Sequence, residues 1–189
     1  MPGTEFQWLA VVFGMLTGLG VTRLLSSAAA ALRSRAVAKV DWLPIIWSAS
    51  IFLCQLDYWW VLHDLKSVMG DWTYPDFLQL LISPLALFFA SALILPASEL
   101  KEGETHQEIF DSHGHWALLA LAGYHVEGLL EAVEFWKLNI LSRAGLVVVI
   151  FAVLPVAAFI SGRRLHLAIA CLYLLLSITF VFFNIHGLL

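Results

Sequence analysis

The sequence predicts an all-α, polytopic membrane protein: a bundle of six transmembrane helices joined by short loops. Three observations predict it. Of 189 residues, 61% are hydrophobic and only 13% charged, where a soluble domain is roughly half apolar and about a quarter charged. Six stretches reach or approach the about 20 apolar residues that a helix needs to cross a hydrocarbon core of roughly 30 Å. The apolar runs, such as Gly145 through Leu154, show no alternation of the kind barrel strands require.

The first span covers about residues 6–32 and the second about 42–62. The third, about 77–95, is stopped by Pro96, which disfavours helix in the residue before it. The fourth, about 116–136, has Trp116 and Trp136 at its edges, where an aromatic belt is expected. Spans five and six, about 145–160 and 165–185, are joined by Ser161-Gly162-Arg163-Arg164. That joint is short enough to force an antiparallel hairpin. The spans leave no room for a separate soluble domain, so residues 1–189 read as one integral membrane domain.

Orientation follows Lys and Arg placement. With the N-terminus outside, inner loops hold Arg33, Arg35, Lys39, Lys101, Arg163 and Arg164, and outer loops hold Lys66, Lys137 and Arg143. That asymmetry predicts N-out and C-out in the cytoplasmic membrane of a bacterium. The first ten residues have no basic start and no cleavage motif, so the first hydrophobic run is expected to stay as a helix. The segment 97–115 reads as an acidic cytoplasmic loop that separates two sets of three helices. Inverted repeats would share that plan, but the halves show no similarity in sequence.

Composition excludes several partners. With 10 Lys and Arg against 14 Asp and Glu, the net charge is −4, and an electrostatic nucleic-acid binder needs a basic face. Cys54 and Cys171 both lie in apolar runs, which argues against a disulfide framework. No Gly-x-Ser-x-Gly elbow, P-loop, dinucleotide-binding glycine triplet, His-Glu-x-x-His or Cys-x-x-Cys occurs. No cofactor is implied, and mid-span haem ligation needs a second histidine at the depth of His125.

Four formally charged residues, Arg23, Asp57, Glu127 and Glu131, fall well inside predicted spans, where a charge costs at least about 2.5–3.5 kcal/mol. Arg23 either snorkels to the inner surface or faces protein with a partner. Glu127, Glu131 and Glu134 follow the i, i+4, i+7 pattern, forming an acidic stripe flanked by Ala120, Gly123, Tyr124 and Gly128. Two carboxylates there cannot both ionise cheaply. Either a proton or cation is held between them, or they form interior pairs with a residue such as Arg23. His125 is turned about 200° from Glu127 and needs a partner elsewhere, such as the first or second helix. Asp57, in Gln55-Leu-Asp-Tyr-Trp-Trp60, lies near the depth of Glu131. It either shares a polar cavity with the glutamates or pairs with Arg23 or Tyr124.

Arg23, Asp57, Glu127, Glu131, Gln55, Tyr124 and His125 are therefore the expected binding or translocation residues. His106, Asp111, His113 and His115 are metal-ligand types in the loop, a weak signal against which a solvated acidic segment is the plainer reading. Gly14, Gly18, Thr22, Ser26 and Ala30 form a small-residue stripe suited to close packing, within the bundle or against another copy or a larger complex. The leading functional expectation is a small channel- or transporter-like protein moving protons, cations or a small cationic solute. The competing one is a non-catalytic accessory or assembly subunit of a membrane complex.

Overall fold

The computed structural model describes residues 2–36, 41–68, 73–101 and 103–185. They form seven α-helices: α1 Pro2–Arg33, α2 Trp42–Val68, α3 Tyr74–Ile94, α4 His106–Ser112, α5 Ala117–Glu134, α6 Arg143–Ile160 and α7 Arg163–Ile185. The caps explain several boundaries. Thr73 and Asp76 form a reciprocal capping box at α3, and Leu95 turns extended ahead of Pro96. Ser142 caps α6 through the Gly145 amide at 3.1 Å. Ser161 and Gly162 alone separate α6 from α7, as a hairpin requires.

The expected six-span bundle is corrected. Among the described residues, five helices are long and apolar enough to cross a membrane: α1 over Trp8–Arg33, α2 over Trp42–His63, α3 over Tyr74–Ile94, α6 over Arg143–Ile160, and α7 over Arg163–Phe182. The expected fourth span is α5, 18 residues long, and it carries Glu127, Glu131 and Glu134. Three carboxylates in so short a helix remove it from the apolar class. The even count behind the N-out and C-out assignment falls with it.

The expected acidic loop also contains structure. Thr105 caps α4 through the Glu108 amide at 3.1 Å, and Phe110 and His106 are buried beneath its polar face.

The chain is a multi-span helical protein whose outer surface is apolar. Leu19, Leu25, Ile82, Phe89, Val153 and Leu175 are all exposed, which costs little in hydrocarbon and much in water. Buried serines and threonines turn their hydroxyls back onto carbonyls four residues earlier: Thr17 to Phe13, Ser48 to Pro44 and Ser177 to Tyr173, at 2.7–2.9 Å. This satisfies polar groups without water.

Helix packing forms a ring. α2 packs on α3, α3 on α5, α5 on α6, α6 on α7, and α7 returns to α2. α1 lies outside the ring against α3 and α2. Five helices in a ring cannot all meet at the axis, so the axis must be filled by large side chains or left as space. Both occur.

Candidate functional site

One half of the ring axis is filled by aromatic rings. Trp47 is 0% exposed and donates its indole N–H to His166 Nε2 at 2.9 Å. Its ring lies 5.1 Å from that of Tyr173, centroid to centroid. Tyr173 is fully buried and meets Phe151 edge-on at 5.2 Å. Its hydroxyl bonds to His125 Nε2 and approaches Cys54 Sγ at 3.4 Å. α2, α5, α6 and α7 are thus tied together by one plug.

The other half is a cavity of about 260 Å³. α2 contributes Asp57, Tyr58 and Cys54, α5 contributes Tyr124, His125 and Glu131, and α6 and α7 close it with Val148, Phe151 and Phe180. Glu131 is only 4% exposed, and one carboxylate oxygen accepts the Ser83 hydroxyl at 3.0 Å. Pro84 beside it lacks the N–H that the Leu80 carbonyl would otherwise accept. The Tyr58 hydroxyl donates to that carbonyl at 3.4 Å. A sequence-encoded gap in α3 is thereby bridged from α2, and the same step places Ser83 against Glu131.

Beyond the plug lies a second, polar cavity of about 230 Å³, lined by Phe110, Asp111, His115, Phe159, Ser161 and His166. His166 touches both this cavity and Trp47. Tyr173, Trp47 and His166 therefore form a contact chain from Phe151 in the wall of the first cavity to the wall of the second.

No family model, curated protein or solved structure matches the chain.

Of the expected site residues, the structure brings together Asp57, Glu131, Tyr124 and His125 on the first cavity. It does not bring Arg23, Gln55 or Glu127 there. Arg23 donates to Ser27 Oγ and to the Ala92 carbonyl at 3.0 Å, at the α1–α3 contact. Its partner is neither glutamate. Gln55 faces the opposite side of α2, where it donates to Ser91 Oγ at 2.7 Å, and a Cβ on Gly20 would stand 2.5 Å from its amide nitrogen. Glu127 is buried with its Oε1 lacking a hydrogen-bond partner, while Glu134 is exposed and accepts from Gln79 at 3.0 Å. His125 finds its partner on α7, not on the first or second helix.

Of the loop ligand types, Asp111 and His115 share the lining of the second cavity, without His106 or His113. Among the described residues, no group of three or more His, Cys, Asp or Glu side chains is placed to hold a metal ion. His113 pairs with Ser112 at 2.7 Å, and His115 packs with Trp116 and Phe159 in a cluster of three mutually touching rings. Sequence reasoning missed Tyr58, Ser83 and Tyr173. The signals were present: a proline beside Ser83, and one phenol in the middle of the leucine-rich α7.

His106 is buried with its Nε2 lacking a hydrogen-bond partner. Burial pushes its pKa below the ordinary 6.5, and the nearby Asp41 pulls the other way. The folded state therefore holds fewer protons than the unfolded one as pH drops. Stability from this group is complete above about 6.5 and is lost as pH falls from there toward the lowered folded value. The thermal midpoint of the purified protein is expected to fall between pH 7.5 and 5.5, and His106→Asn to flatten the fall. An unchanged slope in the variant removes His106 as its source.

Proposed function

We propose that the chain moves protons, cations or a small cationic solute along the ring axis, in the cytoplasmic membrane of a bacterium. One observation carries the reading: Asp57 and Glu131, from helices on different sides of the ring, line one cavity. Carboxylates are expensive in a membrane interior and mark ion or proton paths when they face an internal space. Two of them in one low-dielectric cavity are most favourably placed with a proton or cation between them. The aromatic plug acts as the barrier between the two cavities, and its movement would connect them. Arg23, Gln55 and Glu127 serve packing in this reading.

Flux into proteoliposomes tests it. Wild-type protein is expected to carry protons or a monovalent cation above the rate of empty vesicles. Glu131→Gln and Asp57→Asn should each lower that rate about tenfold or more, the effect of about 1.4 kcal/mol on a barrier. No wild-type flux, or unchanged flux in both variants, ends the reading.

A second reading, an accessory subunit, is favoured by a different observation. A Cβ built on Gly14 or Gly18 meets nothing within 4 Å, and Thr22 and Ser26 are exposed. Of the small-residue stripe, Ala30 alone is buried. In this reading the stripe from Gly14 to Ser26 would take a helix of another chain. A stoichiometric partner retained through purification in mild detergent would favour this reading.

A further inference from the structure

The chemistry of the first cavity narrows what it would hold. Its volume of about 260 Å³ lies just under the ~300–1,000 Å³ of sites for drug-sized ligands, so an occupant has on the order of ten non-hydrogen atoms. Most of its wall is aliphatic or aromatic: Leu53, Val61, Val148, Phe151, Phe180 and Val181. A bare divalent ion needs about six or more oxygen ligands at once. Only two carboxylates, Asp57 and Glu131, line the cavity, and among the described residues no group of three or more His, Cys, Asp or Glu side chains is placed to hold a metal ion.

The charge in the cavity is of one sign. Asp57 and Glu131 line it, and among the described residues that do so there is no Lys or Arg. Aromatic faces are available to a cation from Tyr58, Tyr124, Trp136, Phe151 and Phe180. A neutral apolar molecule would leave a buried carboxylate facing hydrocarbon, which is costly. A hydrated metal ion would leave the apolar walls in contact with water.

We infer that the cavity binds a small organic monocation with an apolar body, its ammonium group held by Glu131 and Asp57 and its body against Phe151, Phe180 and Val148. This deepens the transport reading and rests on it for the role of the site, though not for binding itself.

Calorimetric titration of the full chain in detergent with benzyltrimethylammonium, tetramethylammonium and sodium tests the inference. Benzyltrimethylammonium is expected to bind saturably at one site per chain, at least tenfold more tightly than tetramethylammonium, and sodium is expected not to compete. Glu131→Gln should weaken binding tenfold or more while keeping a polar group opposite Ser83. Phe180→Leu, which keeps an apolar side chain, should weaken the benzyl probe more than tetramethylammonium.

No saturable binding by the wild type overturns the inference. So does equal competition by sodium, or unchanged affinity in a folded Glu131→Gln. The same protein in liposomes separates the two claims. Binding without flux ends the transport reading and leaves the ligand class standing. Sodium or proton flux without binding of the organic probe does the reverse.

Discussion

Trp47→Ala is expected to lower the unfolding free energy by about 3–5 kcal/mol, the range for truncating a fully buried tryptophan. The loss has two physical parts. A large ring disappears from a position with no exposure, leaving Tyr173 without its neighbour at 5.1 Å. His166 Nε2 also loses the indole N–H that it accepts at 2.9 Å, and a buried acceptor left unmade costs about 1–3 kcal/mol. Trp47→Phe separates them, since it refills most of the space and restores no donor. It should therefore recover more than half of the loss. The midpoint of denaturation in mixed micelles measures both variants. A loss under about 1 kcal/mol for Trp47→Ala would mean that the plug is not packed as described. In the transport reading the plug is the barrier between the two cavities, so the alanine variant should also leak small ions through liposomes more than the phenylalanine variant does.

Gly145→Ala is the second large effect, and a methyl group is enough to produce it. Gly145 lies in the first turn of α6, and a Cβ there would stand 2.4 Å from the Ile140 carbonyl oxygen and 2.6 Å from that of Asn139. Both obstacles are backbone. They belong to a turn already held by Ser142 N–H to the Asn139 carbonyl at 2.9 Å and by Leu141 N–H to Asn139 Oδ1 at 2.9 Å. Relief needs movement of that turn, of the Ser142 cap, or of α6 itself. Overpacking commonly costs about 1–3 kcal/mol and occasionally more. Gly123→Ala is the control, because its Cβ meets nothing within 4 Å. In a helix it is expected to be neutral or to stabilise by up to about 1 kcal/mol. Equal midpoints for the two variants would remove the steric argument.

The helical class and most boundaries are legible in the sequence because they depend on local chemistry. Trp42 opens α2 as expected, Pro96 ends α3 one residue after an extended Leu95, and Ser161-Gly162 makes the hairpin turn. What hydropathy alone does not separate is a helix that crosses lipid from one that lies against others. α5 has apolar residues enough to suggest a span, but its three glutamates keep it out of the helices apolar enough to cross.

The candidate site was legible only in part, for a related reason. Spacing puts Glu127 and Glu131 on one stripe, but it does not say where along that stripe a neighbouring helix ends and a cavity begins. Glu131 reaches the cavity and Glu127 does not line it. Depth counting places Asp57 beside Glu131, and both line that space. Arg23 has the opposite charge, but its depth count trends inward while those of Asp57 and Glu131 trend outward, and it sits on α1, outside the ring. Which helix neighbours which is a long-range property, and no local pattern in one sequence carries it.

The ring has a consequence for the order in which this molecule is made. Two of its closing contacts, Trp47 to His166 and Cys54 to Tyr173, each join residues 119 positions apart. Chains leave the ribosome from the N-terminal end, and contacts of such separation form late because the intervening segment must first be brought back. α2, α3, α5 and α6 can therefore all be in place while the axis remains open along one whole side. A nascent chain at that stage already has both carboxylates and has no chamber. The site comes into being in a single late event, the docking of α7. Substitutions on the inward face of that last helix, Tyr173 above all, should therefore show themselves first as failures of maturation.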